Sequence, residues 1–300
     1  MTRSGIALGI MAIVSIGLGW LMAGRALRPV RTMSVRARGI SERNLHERLG
    51  LDGPDDELKE LGDTFDELLA RLESAFESQR QFVANASHEL RTPITLKRTL
   101  VEVALADPGA DEESLRGACR RVLAASEEQE RTIEALLTLA RSQRGTESRQ
   151  ALRLDAVAAE VLRSIRPEGV RVEAELEPAP TTGDGALLER LVGNLVENAL
   201  RYNLERGGWV AVRTGVRDGR ATLRVANSGP AVSAEEAPAL TEPFRRLNGS
   251  RTDGRGVGLG LSIVAAIASA HGAELAVAPA SEGGLSVEVR FPAMVPAIAA

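Results

Sequence analysis

His88 stands in the string Ser87-His88-Glu89-Leu90-Arg91-Thr92-Pro93, inside a stretch of strongly helical character. On the outer face of a helix a neutral imidazole presents one ring-nitrogen lone pair, so it can form a covalent bond to phosphorus as a nucleophile. Thr92 lies four residues on and shares the His88 face, where its hydroxyl can hold a water molecule. Pro93 removes a helical hydrogen bond and is expected to bend the helix. The other histidines, His46 and His271, have no comparable context and read as structural.

The C-terminal half carries a second constellation. Asn194 and Asn198 are four apart and share a helix face, and an amide oxygen is a neutral ligand suited to Mg2+ bridging phosphates. Gly254, Gly256, Gly258 and Gly260 lead into the apolar run Leu261-Ser262-Ile263-Val264. A glycine-rich turn entering a helix places backbone N–H groups and the positive helix end where they can meet phosphate oxygens. A nucleophile in one half and a phosphate cradle in the other imply phosphoryl chemistry.

Several elements must position these groups. The 300 residues allow about two domains by the length prior. At 44% apolar and 26% charged residues the composition is that of folded protein. Aromatics make up only 3%, so cores must be built from Leu, Val, Ile and Ala, which suits helical bundles. A net charge of −4 gives no electrostatic case for nucleic acid as a partner. The lone Cys119 excludes an intrachain disulfide and a cysteine-rich zinc site, and is expected to be a small core side chain.

Gly5 to Gly24 holds no charged side chain, and about 20 helical residues rise about 30 Å, the thickness of a bilayer core. The stretch is longer than a signal-peptide core and lacks the polar face of a surface helix, so a single membrane span is expected. Arg25, Arg28, Arg31, Arg36 and Arg38 follow it and only Arg3 precedes it, which places the C-terminal side in the cytoplasm. The few residues left outside hold no sensor domain. Either the signal enters through the span, or an upstream helix and sensor are missing from this sequence.

Beyond the span, Pro54 with Asp55, Asp56 and Glu57 opens a helix. Leu58, Leu61, Phe65, Leu68, Leu72 and Ala75 form a heptad seam that a parallel dimer would bury. A helix follows from about Ser78 to Ala106, broken by Asp107-Pro108-Gly109, and another from about Glu112 to Arg144. Two antiparallel helices make half of a dimeric four-helix bundle. Gln143 to Gln150 reads as a linker. The remainder is α+β: helix near 154–164, strand near 170–176, helix 184–202, strands 210–216 and 221–226 joined by Asp218-Gly219, helix 258–271 and a last strand 286–291.

Together these strings resemble the histidine, asparagine and glycine boxes of membrane sensor histidine kinases, the input half of two-component signalling, over roughly residues 20–292. The resemblance implies a multidomain chain. Its parts are a transmembrane helix (5–24), an all-α HAMP-like module (25–77), a dimerisation and histidine-phosphotransfer bundle (78–145) and an ATP-binding α/β two-layer sandwich of the GHKL or Bergerat type (150–293). It implies a homodimer in the inner (plasma) membrane with its catalytic part in the cytoplasm. It further implies ATP and Mg2+ as cofactors, autophosphorylation of His88, and a response-regulator aspartate as acceptor.

By the same resemblance Glu89 polarises the imidazole and takes its proton, and Thr92 serves dephosphorylation of the regulator. Asn198 binds the metal with Asn194 in support, Arg201 contacts phosphate, and Tyr202 packs beside the nucleotide. Gly229, Gly256, Gly258, Gly260 and Leu261 belong to the glycine boxes. Phe244, after Glu242-Pro243, stands at the edge of an ATP lid that holds Arg251 and Arg255, of which Arg251 is the better match. GHKL proteins that hydrolyse ATP with water carry a glutamate four residues before the metal asparagine; here that residue is Asn194, which favours transfer to the chain's own histidine. The first glycine box departs from its pattern too. Asn227 replaces the aspartate that accepts the adenine amino proton, keeping an acceptor but losing the charge. A poorly nucleotide-binding scaffold is the alternative this substitution leaves, and nucleotide binding separates the two.

Overall fold

The computed structural model describes residues 9, 11–13, 15–22, 24, 33–35, 38–41, 44–50, 57–142, 149–167, 169–246 and 257–293. Pro54, the four arginines from Arg25 to Arg36, the linker core 143–148, and the lid residues Arg251, Gly254, Arg255 and Gly256 lie outside them. The chain divides into two compact units, 1–84 and 85–300.

In the first unit, helical residues between 9 and 24 expose Met11, Ile13, Ile16, Leu18, Trp20 and Leu21. Among the described residues no helix is long and apolar enough to cross a membrane. The helix α1 begins at Glu57 and continues to Ala106. Its expected seam is largely open: Leu61 is 56% and Leu68 55% exposed, and Leu72 is exposed as well. A different face, made by Gly62, Asp66, Leu69 and Glu73 at helical spacing, receives the connector. One Asp66 carboxylate accepts from two successive amides, Leu49 N at 2.6 Å and Gly50 N at 3.0 Å, and Arg48 pairs with Glu73 at 2.6 Å. Leu45 and Leu49 are buried, so the connector uses up one face of α1 and leaves the leucine seam free.

In the second unit α1 runs through Pro93 without interruption, and Asp107 to Ala110 turn the chain into α2, Glu112–Ser142. A hydrogen bond from Lys97 to Gln129 ties the two helices side by side. Cys119 is exposed, contrary to the expected core position. Leu115, Leu123, Ile133 and Leu137 of α2 are exposed as well.

The α/β part is a two-layer sandwich. Strand β1 (Gln150–Arg153) pairs antiparallel with β3 (Pro180–Gly183). The main sheet takes β2 (Arg171–Leu176), β4 (Trp209–Arg217), β5 (Arg220–Asn227), β6 (Glu274–Pro279) and β7 (Leu285–Arg290) in the order β2-β4-β5-β7-β6. Only the β2–β4 pair is parallel. The helices α3 (Leu154–Ser164), α4 (Gly185–Arg201) and α5 (Gly260–Ala270) cover one face. Alternation along the strands turns Val210, Val212, Leu223, Val225, Val287 and Val289 inward against Leu188, Leu191, Val192, Leu195, Ile263 and Ile267. Asp218 and Gly219, both at positive φ (52° and 72°), close the β4–β5 hairpin as their types imply.

His271 joins three of these elements. It is 2% exposed; its Nε2 accepts from Asp184 N at 3.1 Å, and so its Nδ1 donates to Ile267 O at 2.8 Å. Phe291 meets the ring edge-on at 6.2 Å. Burial is the main cause that holds the imidazole below its ordinary protonation range, with Arg149 adding to it and the Ile267 carbonyl and Asp184 opposing it. The unfolded chain takes up this proton near pH 6.5 and the folded chain only at lower pH, so stability is lost as pH falls below about 6.5. Urea midpoints measured from pH 7.5 to 5.5 should decline in the natural chain. In His271→Leu stability at pH 7.5 should be lower by about 1 to 3 kcal/mol, for the one backbone amide, Asp184 N, that loses its partner, and the midpoints should fall less steeply with pH.

Candidate functional site

Asp184 caps α4, its carboxylate accepting from Leu187 N at 3.2 Å, and this fixes the start of the helix that carries both asparagines. Leu188, Leu191, Val192, Leu195 and Val196 bury one stripe of α4, which leaves Asn194 and Asn198 on the opposite, half-buried flank. The Asn194 amide nitrogen donates to Arg190 O one turn back at 2.8 Å, so its oxygen is turned outward. The side-chain amide of Asn198 has no hydrogen-bond partner among the described residues.

These two oxygens converge on Gly260 at the start of α5. A Cβ there would lie 3.6 Å from Asn198 Oδ1 and 3.7 Å from Asn194 Oδ1, so glycine keeps the space in front of both amides open. A cavity of about 490 Å³ opens at this point. Asn194, Asn198, Arg201, Tyr202, Gly258 and Gly260 all line it, which brings six of the residues singled out from sequence into one place.

Gly258 lies just after segment 247–256, the expected lid. It sits at φ 79°, its carbonyl accepts from Phe244 N at 2.9 Å, and a Cβ would approach Arg245 O to 2.9 Å. No other residue type combines that φ with that approach. Phe244 itself lies at φ 65° and packs on the core. The bond from Phe244 to Gly258 thus holds together the two ends of segment 247–256.

Other expected residues lie off the cavity lining. Leu261 is buried in the core at the first turn of α5. Asn227, 7% exposed at the end of β5, donates its amide to Ser228 O at 2.8 Å, leaving the side-chain oxygen as its acceptor. Gly229 fits where a Cβ would come within 2.5 Å of Tyr202 O. Sequence reasoning missed the tie beside it: Ser228 Oγ donates to Asn203 Oδ1 at 2.6 Å, and Asn203 Nδ2 donates to Ala199 O and Trp209 O, both at 3.0 Å. This joins the end of β5 to the end of α4.

His88, Glu89 and Thr92 are exposed on α1 and line no part of the cavity. The Thr92 hydroxyl donates to His88 O at 3.0 Å, which places the two residues one turn apart on the same face and leaves the oxygen lone pairs outward. A contribution from α2 was also missed: Glu128, Arg131, Thr132 and Glu134 line the cavity, and Glu134 approaches Arg190 at 3.5 Å. Arg190 lies four residues before Asn194, so helical spacing carried the signal for it.

An ATP-sized ligand fits this volume, and unpartnered amide oxygens suit a hard cation. Among the described residues no group of three or more His, Cys, Asp or Glu can cage a metal, so a divalent ion here would complete its shell with phosphate oxygens and water.

Three stretches of the chain match known families. Residues 21–74 match the HAMP domain, 78–145 the His Kinase A (phospho-acceptor) domain, and 183–294 the histidine kinase-, DNA gyrase B-, and HSP90-like ATPase. The chain is 46% identical over 297 residues to the sensor protein CutS of Streptomyces coelicolor, a match covering 97% of this chain and 72% of that one. It is 34% identical to the sensor protein kinase PmrB of Pseudomonas aeruginosa, over 92% of this chain and 58% of that one. The histidine kinase AdeS of Acinetobacter baumannii has the same fold, with a TM-score of 0.54 at 22% identity over 69% of this chain and 98% of the other. With the phospho-acceptor and ATP-binding parts both present and a relative matched over most of its length, the chain belongs to the sensor histidine kinases of two-component signal transduction.

Proposed function

We propose that Mg·ATP binds between α4 and α5 and that its γ-phosphoryl group passes to His88. The convergence of the Asn194 and Asn198 oxygens over Gly260 carries this reading. A ring nitrogen of His88 forms the N–P bond while the bond to the β-phosphate oxygen breaks and ADP leaves. Glu89, the next residue, takes the imidazole proton. Mg2+, when bound, neutralises charge on the phosphate oxygens, and Asn198 holds it with Asn194 beside it. Arg201 meets phosphate, Tyr202 flanks the nucleotide and Asn227 offers its oxygen to adenine. Arg251 and Gly256 of the lid complete the site, with Gly229, Gly258, Phe244 and Leu261 shaping it. An aspartate of a response regulator then receives the phosphoryl group from His88.

The parts divide as a membrane helix (5–24), a HAMP-like module (25–77), a dimerisation and phosphotransfer bundle (78–145) and an ATP-binding domain (150–293). The exposed apolar side chains near the N-terminus and the arginines after them support an inner-membrane anchor with the catalytic part in the cytoplasm. The open leucine seam of α1 and the exposed apolar positions of α2 support a parallel homodimer.

Incubating the full chain with γ-labelled ATP tests the reading. Label that is acid-labile and base-stable is the expected result; ATP binding with no such label would reduce the protein to a scaffold. Thr92→Ala is expected to keep at least about half of the autophosphorylation, because its hydroxyl is not the nucleophile, and to lose about tenfold or more in dephosphorylating the phosphorylated regulator. Equal rates of regulator dephosphorylation by both forms would remove Thr92 from that step.

A further inference from the structure

The sheet has a second face, turned away from the helices, and its register builds a trough there. Glu173, Ala211, Ala226 and Ser286 stand opposite one another across four strands. Two alanines at the centre of this row make a shallow methyl floor. The next row of the same face reads Glu175, Arg213, Arg224, Glu288, so two guanidinium side chains stand directly opposite each other on central strands. Like charges in that position are destabilising unless compensated.

The compensation is uneven. Arg213 pairs with Glu175 at 3.0 Å. Glu288 is engaged by Arg290 at 2.6 Å, and Arg224 reaches only Ser286 Oγ, through Nε at 3.0 Å. The terminal nitrogens of Arg224 have no carboxylate partner among the described residues. At the other end of the floor Trp209 stands opposite Arg171, and its indole N–H has no partner among the described residues either. The open trough holds a space of about 260 Å³. Glu173 lines it too and is paired with Arg171 at 2.9 Å, and Glu282 of the β6–β7 turn stands at its margin.

From these groups we infer a binding site for a flat aromatic carboxylate. Trp209 and Arg213 lie on one strand four residues apart, about 13 Å at about 3.3 Å per residue. A ligand of about two fused rings spans that length once the side chains lean inward. Its ring would lie over Ala211 and Ala226 against the indole, and its carboxylate would sit between Arg213 and Arg224, relieving their repulsion through paired charge-assisted hydrogen bonds. Trp209 and Arg224 present donors only, which selects an acceptor group, and the apolar floor selects against a small hydrated anion. Neither the nucleotide cavity nor His88 shares a residue with this trough.

Calorimetric titration of the full chain with 2-naphthoate tests the site. Saturable binding below about 1 mM is expected, with no change when Mg·ATP is present at saturation. Arg224→Gln should weaken it about tenfold or more, and Ala226→Leu, which fills the floor, should abolish it. The neutral analogue 2-naphthalenemethanol should not bind measurably, a control that needs no variant. Absence of heat up to about 1 mM, equal binding of the alcohol, unchanged affinity in both variants, or competition by ATP would each overturn the proposal. Competition by ATP would locate naphthoate in the nucleotide cavity, and failure of ATP to bind at all would bear only on the kinase site.

Discussion

Replacing His88 by glutamine is expected to reduce labelling by ATP to background, a loss of at least about 10³-fold, while ATP affinity stays within about twofold of the natural chain. The nucleophile is removed, and neither of the other two histidines stands in a matching string. His271 is enclosed, with both ring nitrogens engaged, and His46 is exposed on the connector in the first unit. Nucleotide affinity is preserved because His88 lines no part of the cavity. Circular dichroism should be unchanged, since an exposed glutamine suits a helix at least as well as histidine. Acid-labile phosphate on the glutamine variant would show that the acceptor lies elsewhere.

Asn198→Ala should separate binding from folding in the opposite sense. It removes one of the two oxygens that converge over Gly260, and a loss of roughly 100-fold or more in kcat/KM for autophosphorylation is expected. Stability should not fall. The Asn198 amide has no hydrogen-bond partner among the described residues, packing of α4 is carried by Leu188, Leu191, Val192, Leu195 and Val196, and alanine favours helix over asparagine. The melting temperature should therefore hold or rise slightly. Wild-type Mg·ATP affinity and rate in this variant would move the metal to another residue.

Much of the architecture was written in local patterns. The break at Asp107-Pro108-Gly109, the hairpin at Asp218-Gly219 and the asparagine helix follow from turn chemistry and periodicity, and the structure places them within a residue or two of expectation. The short strands β1, β3 and β6 were not legible. Each of β1 and β3 has four residues, β3 opens on a proline, and β6 is an alanine-rich run that continues the composition of α5; all three exist through their partners. Cys119 was misplaced because the small apolar character of a helical residue does not say whether another element covers it.

The division of labour at the site follows the same rule. Residue type and spacing alone determined the exposed His88–Thr92 face, the pair Asn194 and Asn198 on one side of a helix, and the family to which the chain belongs, because chemistry confined within one or two helical turns is encoded locally. Tertiary structure decided what local spacing cannot reach. It brought Gly260 across to both amide oxygens, required glycine at position 258 through its approach to Arg245 and Phe244, and welded the end of β5 to the end of α4 through Ser228 and Asn203. It also aligned Arg213 with Arg224 on the far face of the sheet. Each of these juxtapositions depends on strand register and helix packing, which are settled only when the apolar faces of sheet and helices close on one another.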